Sequence, residues 1–202
     1  MSELLKLSRV IDQLNWAVSR IAVWLVLISA LVSAFNAFFR YGIETFIGLI
    51  KNYPAFASLQ RLLDWYGANS NGFLEAQWYM FAAVVLLGAP YTLKVNEHVR
   101  VDLLYGNVSE RTKVWIDLVG ALICLVPMCL ILTWVTWPWF VDAWVSNEQS
   151  SNAGGLPRWP VRLILPIGFF LTLLQGISEI IKCVAALTIG YVREHHYEKP
   201  LQ

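Results

Sequence analysis

Four long apolar stretches divide the chain, and shorter polar segments separate them. A helix needs about 20 mostly apolar residues to cross the hydrocarbon core of a bilayer. Stretches that meet this requirement lie at about residues 16–39, 77–93, 114–144 and 160–187. The pattern therefore predicts an all-α integral membrane protein, in which residues 1–202 form a single four-span membrane domain.

The lengths of two stretches carry further information. About twenty residues precede the uncharged run that begins after Arg20, more than the basic leader of a usual signal peptide contains, so we expect an uncleaved helix rather than a signal peptide. The third stretch is longer than the bilayer requires at about 1.5 Å per residue. Pro127 lies inside it and removes a backbone donor, which predicts a kink there.

The segment before the first stretch has a helical pattern of its own. One face carries leucine and isoleucine at spacings of three and four: Leu4, Leu7, Ile11 and Leu14. The other face carries polar residues: Glu3, Lys6, Arg9, Asp12 and Gln13. This pattern predicts an amphipathic helix that either lies on the inner membrane surface before turning into the first span or packs against a partner helix.

The outer loop between the first two stretches is long. Apolar residues recur at helical spacing within it: Leu59, Leu62, Leu63 and Tyr66. Pro54 suits a first helical turn, and the polar run 69–72 is expected to break the helix. We therefore predict one or two interfacial helices within this loop. The next outer loop contains Gly154 and Gly155, which permit a tight turn.

Composition and charge agree with a membrane protein. The chain is 57% hydrophobic and 14% charged, whereas soluble domains carry about 25% charged residues. The net charge of +1 gives no indication of a nucleic-acid partner. Cys124, Cys129 and Cys183 lie in apolar stretches, so we interpret them as small buried hydrophobic residues.

The distribution of basic residues predicts the orientation. With the N-terminus inside, the inner segments carry ten lysines and arginines and the outer segments carry five. Both termini are therefore expected in the cytoplasm. Tryptophans near the predicted span ends are interpreted as interfacial anchors: Trp78, Trp115, Trp134, Trp137, Trp139, Trp144 and Trp159.

An unusual concentration of ionisable groups follows the second stretch. Residues 93–105 contain Lys94, Glu97, His98, Arg100 and Asp102. We predict an amphipathic cytoplasmic elbow whose cations meet lipid headgroups. The alternation of polar and apolar residues from His98 onwards is also compatible with a strand. One histidine is too few for a zinc site.

The sequence contains no catalytic motif. It has no serine elbow, no phosphate-binding glycine loop and no GxGxxG. Polar residues within the spans (Asn36, Asp117, Gln175 and Glu179) could mark a transport path. Their positions are tolerable without a dedicated ion site, because a charge at mid-membrane costs about 2.5–3.5 kcal/mol on insertion scales and less near the interface. We predict no catalytic, substrate-binding or metal-binding residue and no cofactor.

Three segments resemble one transporter family: "LEAQWYMFAAVVLLGAPYTL", "NEHVRVDLLYGNVSERTKVWIDLVG" and "GGLPRWPVRLILPIGFFLTLLQGISEII". Together they are similar to the small membrane subunit of tripartite ATP-independent periplasmic (TRAP) transporters. The resemblance covers residues 74–184 strongly. Residues 42–68 depart from it, which implies a periplasmic insertion at about residues 42–72. The resemblance implies a non-catalytic subunit of the bacterial inner membrane that scaffolds a large permease subunit. It further implies sodium-coupled uptake of an organic acid or related solute, delivered by a periplasmic binding protein.

Nine residues are candidates for a partner interface or for orientation in the membrane: Glu75, Trp78, His98, Arg100, Asp102, Asp117, Gly155, Pro157 and Arg158. On the outer side, Glu75, the 54–66 helix and the turn around Gly155 either dock the binding protein or only cap helix ends. Two other classes of protein remain open. A membrane anchor of a redox enzyme would need haem or quinone ligands, and no span contains a histidine. An oligomeric channel would need polar stripes along the spans, which are sparse.

Overall fold

The computed structural model describes residues 1–97, Tyr105 and 108–192. Its helices are α1 (Ser2–Asn52), α2 (Ser58–Val95), α3 (Glu110–Gly120), α4 (Val126–Val145) and α5 (Trp159–Ile189). A 3₁₀ turn, Pro54–Phe56, joins α1 to α2, and a π-helical turn, Ala121–Leu125, joins α3 to α4.

Four continuous helices are long and apolar enough to cross a membrane, which confirms the predicted all-α fold. They are Ser2–Asn52, Ser58–Val95, Glu110–Val145 and Trp159–Ile189. The first has 51 residues and extends about 76 Å at 1.5 Å per residue, more than twice the hydrocarbon thickness of about 30 Å. Its two ends therefore extend well beyond one bilayer core.

The N-terminal segment does not turn into the first span as one of our two interpretations expected. Residues 2–52 form one helix without interruption. The buried face is also different from the predicted apolar face, since Asp12 is buried whereas Leu4 and Leu7 are exposed. The physical reason is that polar side chains of this segment bond to polar side chains of α5.

The prediction of separate interfacial helices between the first two spans was wrong, because α1 and α2 themselves extend through this region. The polar run 69–72, expected to break the helix, is helical. Asn69 donates to the Trp65 carbonyl at 2.8 Å and Ser70 to the Gly67 carbonyl at 3.3 Å. Both side chains thus find hydrogen-bond acceptors on their own helix. Asn71 donates to the Ala153 carbonyl, in the loop between α4 and α5, at 2.9 Å.

Following the predicted orientation, we call the end of the molecule that contains residues 39–73 and 146–158 the outer end, and the opposite end the inner end. An aromatic core joins α1 and α2 at the outer end. Phe39, Leu63 and Tyr66 form its buried centre, with Phe46 and Phe73 packed against it. The rings of Phe39 and Tyr66 stack at 5.1 Å. Because this core lies between the two helix extensions, the region outside the predicted spans is held by tertiary packing and not only by helix propensity.

The four long helices do not form a symmetric bundle. α1, α2 and α5 contact one another, whereas α3 and α4 pack against α5. The close approach of α2 and α5 requires Gly168, where a Cβ atom would lie 2.6 Å from the Leu86 Cβ. The helix formed by α3 and α4 is thus the most peripheral of the four.

An irregularity in the third long helix lies beside Pro127. The Val126 N–H bonds to the Ala121 carbonyl, five residues back, and this bond closes the π turn. Pro127 follows directly and has no N–H to donate. A local change in hydrogen bonding therefore occurs where the sequence predicted a kink.

The interpretation of all three cysteines as buried residues was wrong for one of them. Cys129 and Cys183 are buried, but Cys124 is exposed. Cys124 lies in the π turn of the peripheral helix. A sequence pattern that is apolar on every face does not indicate which side the neighbouring helix will cover.

Replacing Tyr66 by phenylalanine should destabilise the hairpin of α1 and α2. The Tyr66 hydroxyl donates to Asn36 Oδ1 at 2.7 Å, and the bond is buried. Its loss should lower the free energy of unfolding by about 1–3 kcal/mol, because the Asn36 amide oxygen loses its partner. Thermal unfolding of the detergent-purified protein measures this. The matched control is Tyr53→Phe, since Tyr53 is exposed; equal unfolding temperatures for the two variants would contradict the prediction.

Candidate functional site

The outer loop, residues 146–158, is fixed to α2 by one buried carboxylate. Glu75 lies in α2 and is only 3% exposed. Its Oε1 accepts hydrogen bonds from the Ser150 hydroxyl and, at 3.0 Å, from Asn152 Nδ2. Its Oε2 accepts the Leu156 backbone N–H at 2.7 Å. A single α2 side chain therefore orders the loop at three positions.

The glycine pair lets the outer loop approach α2 closely. Gly154 has φ +69°, a conformation that glycine adopts without strain, and it faces the Ala68 carbonyl. A Cβ atom on Gly155 would lie 2.8 Å from Glu75 Oε2. On the α2 side, a Cβ on Gly72 would lie 2.9 Å from the Gly154 carbonyl. The loop and helix thus fit together through small residues on both sides.

The end of the outer loop brings cations and aromatic rings together. The Arg158 guanidinium lies 5.5 Å from the Trp78 ring centroid and 3.9 Å from Glu75 Oε1. The Tyr79 hydroxyl donates to the Pro157 carbonyl at 3.1 Å. Arg162, one turn into α5, pairs with Glu148 at 2.5 Å. These contacts attach the loop to the start of α5 as well as to α2.

Five of the nine candidate residues therefore belong to one site. Glu75, Trp78, Gly155, Pro157 and Arg158 meet at the outer end of α2 and α5. Glu75 is enclosed, so it acts on a partner only through the loop that it positions. Trp78 is 43% exposed and presents its ring at the surface. The arrangement orders a surface, because the loop donors around Glu75 are used to hold the loop on α2.

A second site, the inner polar network, joins α1 to α5. Asp12 accepts hydrogen bonds from Gln175 at 2.9 Å and Ser178 at 2.9 Å, and an ion pair from Lys182 at 2.8 Å. Around this centre, Asn15 bonds to Gln175, Ser8 to Ser178, and Lys182 to Glu179. Most of these side chains are buried.

The sequence contained a signal for this network that our interpretation missed. Ser8, Asp12, Asn15 and Ser19 recur at spacings of three and four, as do Gln175, Ser178 and Lys182. Such polar stripes on two helices indicate a polar helix–helix contact in a membrane protein. Our interpretation places Asp12 on the polar face of an amphipathic helix, and treats Gln175 and Glu179 only as polar residues within a span.

Asp117 lies at the inner end, far from the outer loop in the sequence and the fold. Its carboxylate accepts the Tyr105 hydroxyl at 2.9 Å. It lines a cavity of about 620 Å³ between the inner ends of α1, α2, α3 and α5, together with Arg9, Lys94 and Lys182. The other candidates, His98, Arg100 and Asp102, lie outside the described residues, as does most of the predicted elbow. Within residues 1–97, Tyr105 and 108–192, no group of three or more metal-ligating side chains is assembled.

Comparison with known proteins decides the family. The family model described as "Tripartite ATP-independent periplasmic transporters, DctQ component" matches residues 67–186, more than half of the chain. The chain belongs to this family. No curated protein and no solved structure gives a significant match.

The DctQ match includes the outer loop site and the α5 half of the inner network. It begins at residue 67, so α1 and the first nine residues of α2 lie outside it. The confirmed resemblance is therefore to a component of a multi-protein transporter. The chain is a transporter component with four helices able to span a membrane.

Replacing Glu75 by glutamine should release the outer loop. The glutamine NH₂ would face donors, and at least one loop hydrogen bond would be lost at a buried position. We expect the amide of Leu156 to exchange with deuterium at least about tenfold faster, since about 1.4 kcal/mol corresponds to tenfold. Glu44→Gln, at an exposed position of α1, is the matched control. Unchanged exchange in Glu75→Gln would contradict the role of the carboxylate.

Replacing Lys182 by methionine should destabilise the α1–α5 contact more than removal of a surface lysine. The Asp12 carboxylate would lose its cation while buried, which costs about 3–5 kcal/mol. The control, Lys6→Met, removes an exposed pair with Glu3, worth about 0–1 kcal/mol.

The double variant Asp12→Asn, Lys182→Met distinguishes the energy of the ion pair from the energy that each side chain contributes by packing. It should recover part of the lost unfolding free energy, because no uncompensated charge remains at Asp12. Chemical unfolding in detergent measures the four proteins of the cycle, which are the wild type, Asp12→Asn, Lys182→Met and the double variant. Strictly additive effects of the two substitutions would show that the pair is not coupled.

Proposed function

We propose that this chain is the non-catalytic small permease subunit of a TRAP-type secondary transporter. In this role it scaffolds the large permease subunit in the bacterial inner membrane, with both termini in the cytoplasm. The observation that carries the proposal is the DctQ match over residues 67–186. The ten-to-five excess of basic residues in the inner segments supports the orientation.

The internal use of buried polar groups supports a scaffold rather than a solute carrier. Asp12, Glu75 and Gln175 are the buried centres of the two sites, and each bonds to residues of this chain. Solute sites in secondary transporters are built from polar groups and interrupted helices near mid-membrane. In the described part of the chain, Asp12 and Gln175 instead join α1 to α5, and Glu75 holds the outer loop on α2.

The finer features of transport follow from the proposed assembly. The large subunit carries the solute and sodium sites, and a periplasmic protein delivers an organic acid or related solute. The outer loop, with Trp78 and Arg158 at its edge, is the surface that we assign to docking of that protein. The rigid attachment of the loop by Glu75 supports this assignment, because a preorganised surface loses less entropy on binding. The basic inner elbow around Arg100 lies against headgroups of the inner leaflet.

The test is affinity purification of the tagged chain from its native membrane in mild detergent, followed by mass spectrometry. We expect a multi-span permease in stoichiometric amount, because an exposed apolar helix surface needs a protein or lipid neighbour. An unrelated four-span protein with the same tag is the control. Recovery of the chain alone, or with a redox subunit and a haem absorption band, would contradict the proposal.

A further inference from the structure

A groove separates α1 from α2 below the aromatic core. Its volume is about 750 Å³, and Trp16, Ser19, Arg20, Gly88, Ala89 and Thr92 are among its lining residues. The outer ends of α1 and α2 are packed together, whereas the groove lies towards their inner ends. It opens on the outside of the chain and is a surface distinct from the outer loop and from the inner polar network.

Arg20 brings a cation into this groove, and it has no acidic partner among the residues that the structure describes. Its side chain is exposed, and its guanidinium lies 5.7 Å from the Trp16 ring centroid. None of the described residues forms an ion pair with it, and none of the described groove residues is acidic. The nearby hydroxyls of Ser19 and Thr92 bond to carbonyls of their own helices.

Arg20 lies near the inner end of the first apolar stretch, 16–39. Arg20 lines the groove together with Gly88, which lies in an uncharged segment of α2, residues 76–93. Gly88 precedes Lys94 by six residues, which corresponds to about 9 Å along the helix. A long basic side chain at this position pairs either with a group of a neighbouring protein or with the headgroups at the interface.

The walls of the groove are suited to a helix. Gly88 has open space where a Cβ would stand, and Ala89 is exposed. Ser19 and Ala22 present small side chains from α1. Small residues let helix backbones approach closely in membranes, where packing rather than water exclusion drives association.

We propose that this groove receives a transmembrane helix of the large permease subunit, and that an aspartate or glutamate of that helix pairs with Arg20. This inference rests on the proposed function and adds the contact surface to it. The occupant is inferred from charge and from size. Arg20 is positive and forms no ion pair with a described residue, so an acidic side chain would complement it. The small residues beside Arg20 leave room for a helix. A phospholipid phosphate is the competing source of negative charge.

The test compares recovery of the large subunit with tagged variants of this chain. Arg20→Gln and Ala89→Leu should each reduce co-purification by about tenfold or more, since unpairing a buried partner charge or filling the groove weakens the contact. Arg20→Lys should retain part of the recovery. Arg9→Gln and Ala30→Leu are matched controls at exposed positions outside the groove, and both should retain wild-type recovery.

Each result has a defined meaning. All variants should unfold at the wild-type temperature as isolated chains, because both groove positions are exposed. Undiminished recovery with either Arg20→Gln or Ala89→Leu would overturn the inference. So would loss of a bound phospholipid, seen by native mass spectrometry, from Arg20→Gln while the large subunit remains. If the wild-type chain itself recovers no large subunit, the proposed function fails, and not only the inference.

Discussion

The ion pair between Asp12 and Lys182 joins the first helix of the chain to the last, and the packing of the inner end depends on it. Neither apolar side chains nor lipid can solvate these charges, so they must be satisfied by each other and by nearby polar groups. Gln175 and Ser178 supply hydrogen bonds to the same carboxylate. The network fixes both the rotation of α1 and its height relative to α5.

The outer end follows the same physical rule with different groups. Glu75 has no lysine partner; loop donors and a more distant arginine satisfy it. The consequence is an ordered loop between α4 and α5 where a flexible connection would otherwise be expected. Two enclosed carboxylates, Asp12 at one end and Glu75 at the other, therefore hold the helices together. Much of the remaining helix surface consists of exposed apolar side chains. A chain held in this way can present rigid surfaces to a larger partner.

Several features were predictable because they depend on local patterns. The four apolar stretches, the helical spacing around Leu63 and the tight turn at Gly154 are all local. The grouping of Glu75 with the turn around Gly155 and Arg158 came from their predicted position on the same side of the membrane, and contacts in the fold explain it. The errors arose where tertiary contacts replaced a local preference. The polar run 69–72 remained helical because its side chains bond to their own helix and to the outer loop.

The sequence by itself determined the class of protein, the number of apolar helices and the family. These depend on composition, length and short motifs, and a bilayer admits few structures that satisfy the backbone. Only the tertiary structure decided which faces are buried. Asp12 lies inside and Leu7 outside because a polar stripe on α5 faces α1. A pattern on one helix cannot specify this, because the choice depends on the groups that the neighbouring helix presents at the same level.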